Sequence, residues 1–117
     1  MNTLTFLGIL EGFKSTTKQL HWSTPSKNLH LVCDSLHQAI DKFQDMLAEN
    51  YMGTEGVTIE MGSILTTTDF SVDFNELVEN IRQNVETIRN SNDPALETII
   101  GDFLVELNKL TYLSKLQ

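Results

Sequence analysis

The chain has 117 residues, with sixteen Asp and Glu against eight Lys and Arg and a formal charge of -8. One hydrophobic core suits that length, whereas a two-domain enzyme or a TIM barrel does not. So acidic a surface repels phosphate backbones and anionic headgroups, which argues against nucleic acid and membrane surfaces as partners. The charge is also uneven: residues 34–106 hold fifteen acids against three bases (-12), and the two flanking stretches each carry +2. Cys33 is the single cysteine, so no intrachain disulfide is possible and nothing calls for an oxidising compartment. No basic n-region with a small-residue cleavage site opens the chain, and no apolar run approaches the roughly 18 residues of a membrane span. These features predict a soluble, unprocessed, cytoplasmic protein.

Prolines and glycines punctuate four helical segments. The first, about residues 3–21, has an apolar face of Leu4, Phe6, Leu7, Leu10, Phe13 and Leu20, with Gly8 and Gly12 spaced to permit close helix contact. Thr24 is expected to cap the second helix with Pro25 at its first position. That helix, about 25–51, carries Leu29, Val32, Cys33, Leu36, Ile40, Phe43 and Leu47, with Gly53 as its stop. Residues 53–72 sustain no period and read as a connection holding one short helix. A third helix, about 73–91, opens at Asp73 with Glu76 at capping-box spacing and Val72 placed to staple Leu77; Leu77, Ile81, Val85 and Ile88 form its apolar face. The fourth, about 94–115, starts at Asp93-Pro94 and buries Ile99, Ile100, Phe103, Leu104, Leu107, Leu110 and Leu113. The expected fold is all-α: one domain over 1–117, a ferritin-like four-helix bundle with a long crossover between the second and third helices.

The second helix also carries His30, Asp34, His37, Asp41, Asp45 and Glu49 on one drifting face, at spacings of 4, 3, 4, 4 and 4. Imidazole nitrogen with carboxylate oxygen suits Fe(II) or Zn(II), although a solvated amphipathic face gives a similar stripe. Asp34 and Asp45 lie eleven residues apart, roughly 16 to 17 Å along a helix, too far to bind one ion in one chain. If both ends of the stripe serve one site, an antiparallel helix of a second subunit must bring them together, in two copies about a two-fold axis. An intrachain di-iron centre is not expected, because no Glu in the chain is followed three residues later by His.

The run His21-Trp22, then His30-x3-Asp34, then ten residues to Asp45-x3-Glu49 resembles the signature of the Dps mini-ferritins, and the weaker likeness of Leu96 to Leu113 to their closing helix extends it over most of the chain. The resemblance implies a ferroxidase and iron-storage protein, oxidising Fe(II) with hydrogen peroxide at sites between two-fold related subunits of a twelve-subunit shell. Carried over, His21, His30 and Asp34 would come from one subunit and Asp45 and Glu49 from its partner. Glu49, Asp34 and His21 would hold the tighter iron, and His30 and Asp45 would reach the second. Trp22 would pack beside the site, or else in the core with its N–H bonded.

The chain also departs from the family pattern. His30 follows the His-Trp pair about three residues sooner than in the family, and the middle connection is shorter. No Lys-rich tail precedes Leu4, so the DNA binding that such a tail provides is not expected. Outside the pattern, His37 and Asp41 read as a solvated or interfacial pair, and Cys33 as a small buried hydrophobe. The acids of the third and fourth helices read as solvated faces. Two alternatives stand beside the ferroxidase: a structural or interaction bundle of the same fold without that activity, of phage or mobile-element origin given its size, and a Zn(II)-binding protein without redox turnover.

Overall fold

The structure, a computed structural model, describes residues 1–67 and 73–116. Among these are four α-helices and no strands: α1 (Thr3–Ser23), α2 (Lys27–Glu55), α3 (Phe74–Glu86) and α4 (Pro94–Leu113). Each begins on a side chain that accepts a first-turn N–H left without a helical partner. Asn2 accepts from Thr5 at 2.8 Å, Ser26 from Leu29 at 3.2 Å, Asp73 from Glu76 at 2.8 Å and Asp93 from Leu96 at 3.1 Å. Pro94 occupies the first turn of α4, where its missing N–H costs nothing. The staple expected of Val72 lies outside the described residues.

Several boundaries differ from the sequence expectation. Thr24 ends α1, its N–H donating to the Leu20 carbonyl at 3.0 Å, and so cannot also open α2. Ser26 takes that role and Pro25 lies in the turn ahead of the helix. Helix α2 runs through Gly53 and stops at Gly56, whose φ of 67° is the left-handed conformation glycine reaches without a Cβ clash. Helix α3 closes at Glu86 because Thr87 turns its N–H back to Asn84 and Val85, but Ile88 still packs on the core. Helix α4 ends two residues early at Leu113, where the Asn28 amide donates to the carbonyls of Leu113 and Leu116 at 2.9 and 2.6 Å. No short helix forms over residues 57–67.

The helices pack as a bundle in which α1 touches α2 and α3, and α4 touches the same two. Helices α2 and α3 therefore sit at opposite corners although they are consecutive in sequence. α1 and α2 run antiparallel, which pairs Leu7 with Gln44, Lys14 with Asp41 and His21 with His30. The apolar faces expected of all four helices meet inside, with Phe74 and Val78 added from α3. Phe43 stacks on Phe103 at 4.1 Å and meets the edge of Phe6 at 6.1 Å, tying α2 to α4 and α1.

Gly8 and Gly12 admit a different neighbour from the one expected. They make room for the backbone of the connecting segment, not for a helix. The Thr67 N–H donates to the Gly8 carbonyl at 3.2 Å, and a Cβ at Gly8 or Gly12 would collide with the carbonyl oxygen of Leu65 or Thr67. Ile59 and Ile64 pack against the core as the segment passes, while Met61 and Leu65 face outward. Among the described residues no helix is long and apolar enough to cross a membrane.

Candidate metal centre

The end of α1 and the start of α2 bring His21 and His30 face to face. Their rings stack with centroids 3.8 Å apart and planes 21° from parallel. Each Nδ1 lies on the other residue's carbonyl oxygen, His21 Nδ1 on His30 O at 2.7 Å and His30 Nδ1 on His21 O at 2.9 Å. A carbonyl only accepts, so each Nδ1 carries a proton, and in the neutral form of either ring Nε2 is the nitrogen with the lone pair. Backbone chemistry provides one of these acceptors. The helical donor to His21 O would be the N–H of residue 25, which is proline and has none. That carbonyl is left for the His30 ring. Metal-binding histidines are commonly held this way, with one nitrogen on a carbonyl and the other turned to the ion.

The stacked geometry also decides how many ions the pair can serve. A metal lies close to the plane of the imidazole that binds it, about 2.0 to 2.1 Å from the nitrogen. Two nearly parallel planes separated by a stacking distance cannot both contain one ion, so each ring can serve only its own.

The other expected ligands are placed less favourably. Asp34 lies one turn beyond His30 and accepts from the Gln38 amide at 3.1 Å. Asp45 and Glu49 are exposed towards the far end of α2, with Asp45 on an open groove beside Glu11, Asp41 and Gln44. Among the described residues no group of three or more His, Cys, Asp or Glu side chains could hold a metal ion within the chain. The structure thus pairs His21 with His30 and leaves Asp34, Asp45 and Glu49 apart from them. Trp22 is 70% exposed at the tip of the α1–α2 hairpin, which corrects the alternative of a core tryptophan.

Between the two ends, α1 supplies positive charge that the sequence reading passed over. Lys14, largely covered, bridges Glu11 at 2.9 Å and Asp41 at 3.0 Å. Burial alone would lower the lysine, but the two carboxylates outweigh it and raise its pKa. Glu11 is lowered: burial pushes it up, and the hydrogen bonds from Lys14 and Gln44 with the lysine charge more than reverse this. His37, half-buried nearby, is held below the usual histidine range by burial and by Lys18 and Lys14, against the opposing pull of Asp41 and Asp34. Asp41 is thus tied to α1 through Lys14 while its charge still acts on His37. The signal for Lys14 was in the sequence: an i, i+3 carboxylate on its own helix, with acids expected on the facing one.

Cys33 is fully buried, and its thiol is pushed up to about 11 by that burial, so it packs as a small hydrophobe. Among the remaining acids, Asp73 and Asp93 cap helices, and Glu86 and Glu97 flank Arg89 at the turn between α3 and α4. Compared with protein-family models, with curated proteins and with solved structures, the chain matches none.

Proposed function

We propose that the chain is a Dps-like ferroxidase of ferritin-like fold, binding Fe(II) as substrate at sites completed by a second subunit. The observation that carries this reading is the His21–His30 pair. Two imidazoles with protonated Nδ1 and open Nε2 at one surface, each restricted to its own ion, are what the histidine half of a two-iron site requires. Asp34 on the next turn is the nearest carboxylate of the set. Asp45 and Glu49 of a partner subunit, arriving antiparallel, would supply the oxygen ligands that favour Fe(III) as charge builds. Hydrogen peroxide would take one electron from each of two Fe(II) ions and, with two protons, leave as two waters. Helices α2 and α3 lie diagonally, and Thr87 at the end of α3 meets Met1 just ahead of α1, so that α3 runs antiparallel to α1 and parallel to α2; this arrangement supports the ferritin-like crossover.

The contact of Asp34 with Gln38, and the absence of a three-ligand cluster among the described residues, favour the second reading, an interaction bundle without turnover. Fe(II) oxidation by peroxide, followed by ferric absorbance, separates the two. Wild type is expected to outpace the Asp45→Asn/Glu49→Gln double variant by at least tenfold, and equal rates would remove the ferroxidase reading. A chain that binds Zn(II) but shows no peroxide-dependent ferric signal would point to the third.

A further inference from the structure

Lys14, Lys18 and Trp22 follow one another at four-residue spacing on α1, so they lie on one stripe of that helix, with Ser15 beside them. Together with Gln19 and with His37 of α2 they line a hollow of about 310 Å³, at the small end of the range for small-molecule sites. None of these residues belongs to the proposed iron ligands.

The charges around the hollow are unevenly matched. Glu11, which also lines it, and Asp41 are both engaged by Lys14, at 2.9 and 3.0 Å. Lys18, half-buried one turn further on, makes no ion pair among the described residues. His37 is held low by burial and then by the charges of Lys18 and Lys14, which shows both lysines within electrostatic reach of the ring. A neutral imidazole offers one N–H to a ligand. Ser15 Oγ accepts from the Gln19 amide at 3.3 Å and keeps its own proton to donate. The groups left open are therefore one cation and two neutral donors, a set that suits a carboxylate. Trp22 adds a flat apolar surface. Its indole is 70% exposed, unusual for so large an apolar side chain. The ring of His21 turns onto His30 across the hairpin, and Trp22, about 100° further round the helix, faces out beside Lys18.

We infer that this hollow binds a small aromatic carboxylate, its ring stacked on Trp22 and its carboxylate on the Lys18 ammonium, with Ser15 and His37 as further donors. Residues one helical turn apart stand about 5 to 6 Å from each other at Cβ, so the site selects acids whose ring and carboxylate are joined by a short link. A cationic ligand meets the uncompensated charge of Lys18, and an anion without a ring gains nothing from Trp22. Binding requires neither iron nor a second subunit.

The test follows the emission of Trp22, the single tryptophan of the chain, as phenylacetate is titrated into the full chain in chelator. Acetate, which lacks the ring, and phenethyl alcohol, which lacks the charge, are titrated beside it. Phenylacetate is expected to change the emission saturably and to bind at least tenfold more tightly than either. Lys18→Gln should weaken it at least tenfold, the loss expected of one charge-assisted hydrogen bond, and Lys18→Arg should restore most of the affinity. Lys42→Gln, which removes an exposed lysine elsewhere on α2, should leave binding unchanged. Equilibrium dialysis with labelled phenylacetate reads Trp22→Leu, which should also bind at least tenfold more weakly. The inference is overturned if acetate or phenethyl alcohol binds as tightly as phenylacetate, or if Lys18→Gln or Trp22→Leu binds like wild type. No iron ligand is altered and no iron is present, so these outcomes are independent of the Fe(II) oxidation assay, and either reading can fail while the other stands.

Discussion

Gly12 shows how far a single missing Cβ reaches. In a helix interior, replacing glycine with alanine ordinarily stabilises by up to about 1 kcal/mol. Gly101 in α4 has open space around its missing Cβ, and Gly101→Ala is expected to follow that rule. At Gly12 the new methyl meets the Thr67 carbonyl oxygen, a backbone atom that cannot rotate away. Gly12→Ala is therefore expected to destabilise by about 1 to 3 kcal/mol as the connecting segment is displaced. Urea unfolding of the two variants side by side checks this, and a Gly12→Ala protein as stable as Gly101→Ala would contradict the close approach. That glycines four apart marked a close contact was legible in the sequence. The partner was not, because spacing records that something comes near and says nothing of whether it is a helix or a strand of loop.

At the scale of the element, the helices owe their existence to patterns that can be read residue by residue, and their ends to competition between neighbours. Asp73 and Asp93 were readable as caps because each is the only side chain in position. Thr24 and Ser26 compete for one helix start, and the outcome depends on α1 needing Thr24 to close its last turn. The α1–α2 pairing is fastened by Lys14 between Glu11 and Asp41. The lowered pKa of Glu11 gives a contribution that is complete above the ordinary carboxylate range and lost as pH falls through the lower folded value. Because the carboxylates are partly solvated, its size is at most about 1 kcal/mol. Lys14→Met should leave stability near pH 3 almost unchanged and lower it above pH 5, flattening the acid limb of a stability–pH curve from thermal melts. A Lys14→Met curve parallel to wild type would show that the bridge contributes nothing.

At the scale of the whole molecule, the candidate ligands are split between two ends of one face. Helix rise predicts this separation, since eleven residues between Asp34 and Asp45 span far more than an ion can bridge. If those ends serve one centre, the solution mass must be an even multiple of the chain's 13.2 kDa. Light scattering with and without Fe(II) is expected to show a dimer at the least, and a twelve-subunit particle if a shell closes. A monomer under every metal load would contradict the shared centre. The acid surplus of the middle stretch likewise divides once the fold is known, some acids capping helices, some pairing with Lys14 or Arg89, and Asp45 and Glu49 left on the surface.

Sequence alone determined the helical class, three of the four helix starts to within a residue and most of the core, all of which follow from local periodicity and capping chemistry. The choice of His21, His30, Asp34, Asp45 and Glu49 as a set came from the resemblance to a known pattern and remains part of the proposal. Only the tertiary structure decided that His21 and His30 stack and fix each other's tautomer, that Lys14 claims Asp41, that Trp22 is exposed, and that Gly8 and Gly12 receive a backbone. Each of those depends on where a second segment lies, and a distance between segments is set by packing of the whole bundle, which no pattern within one segment encodes.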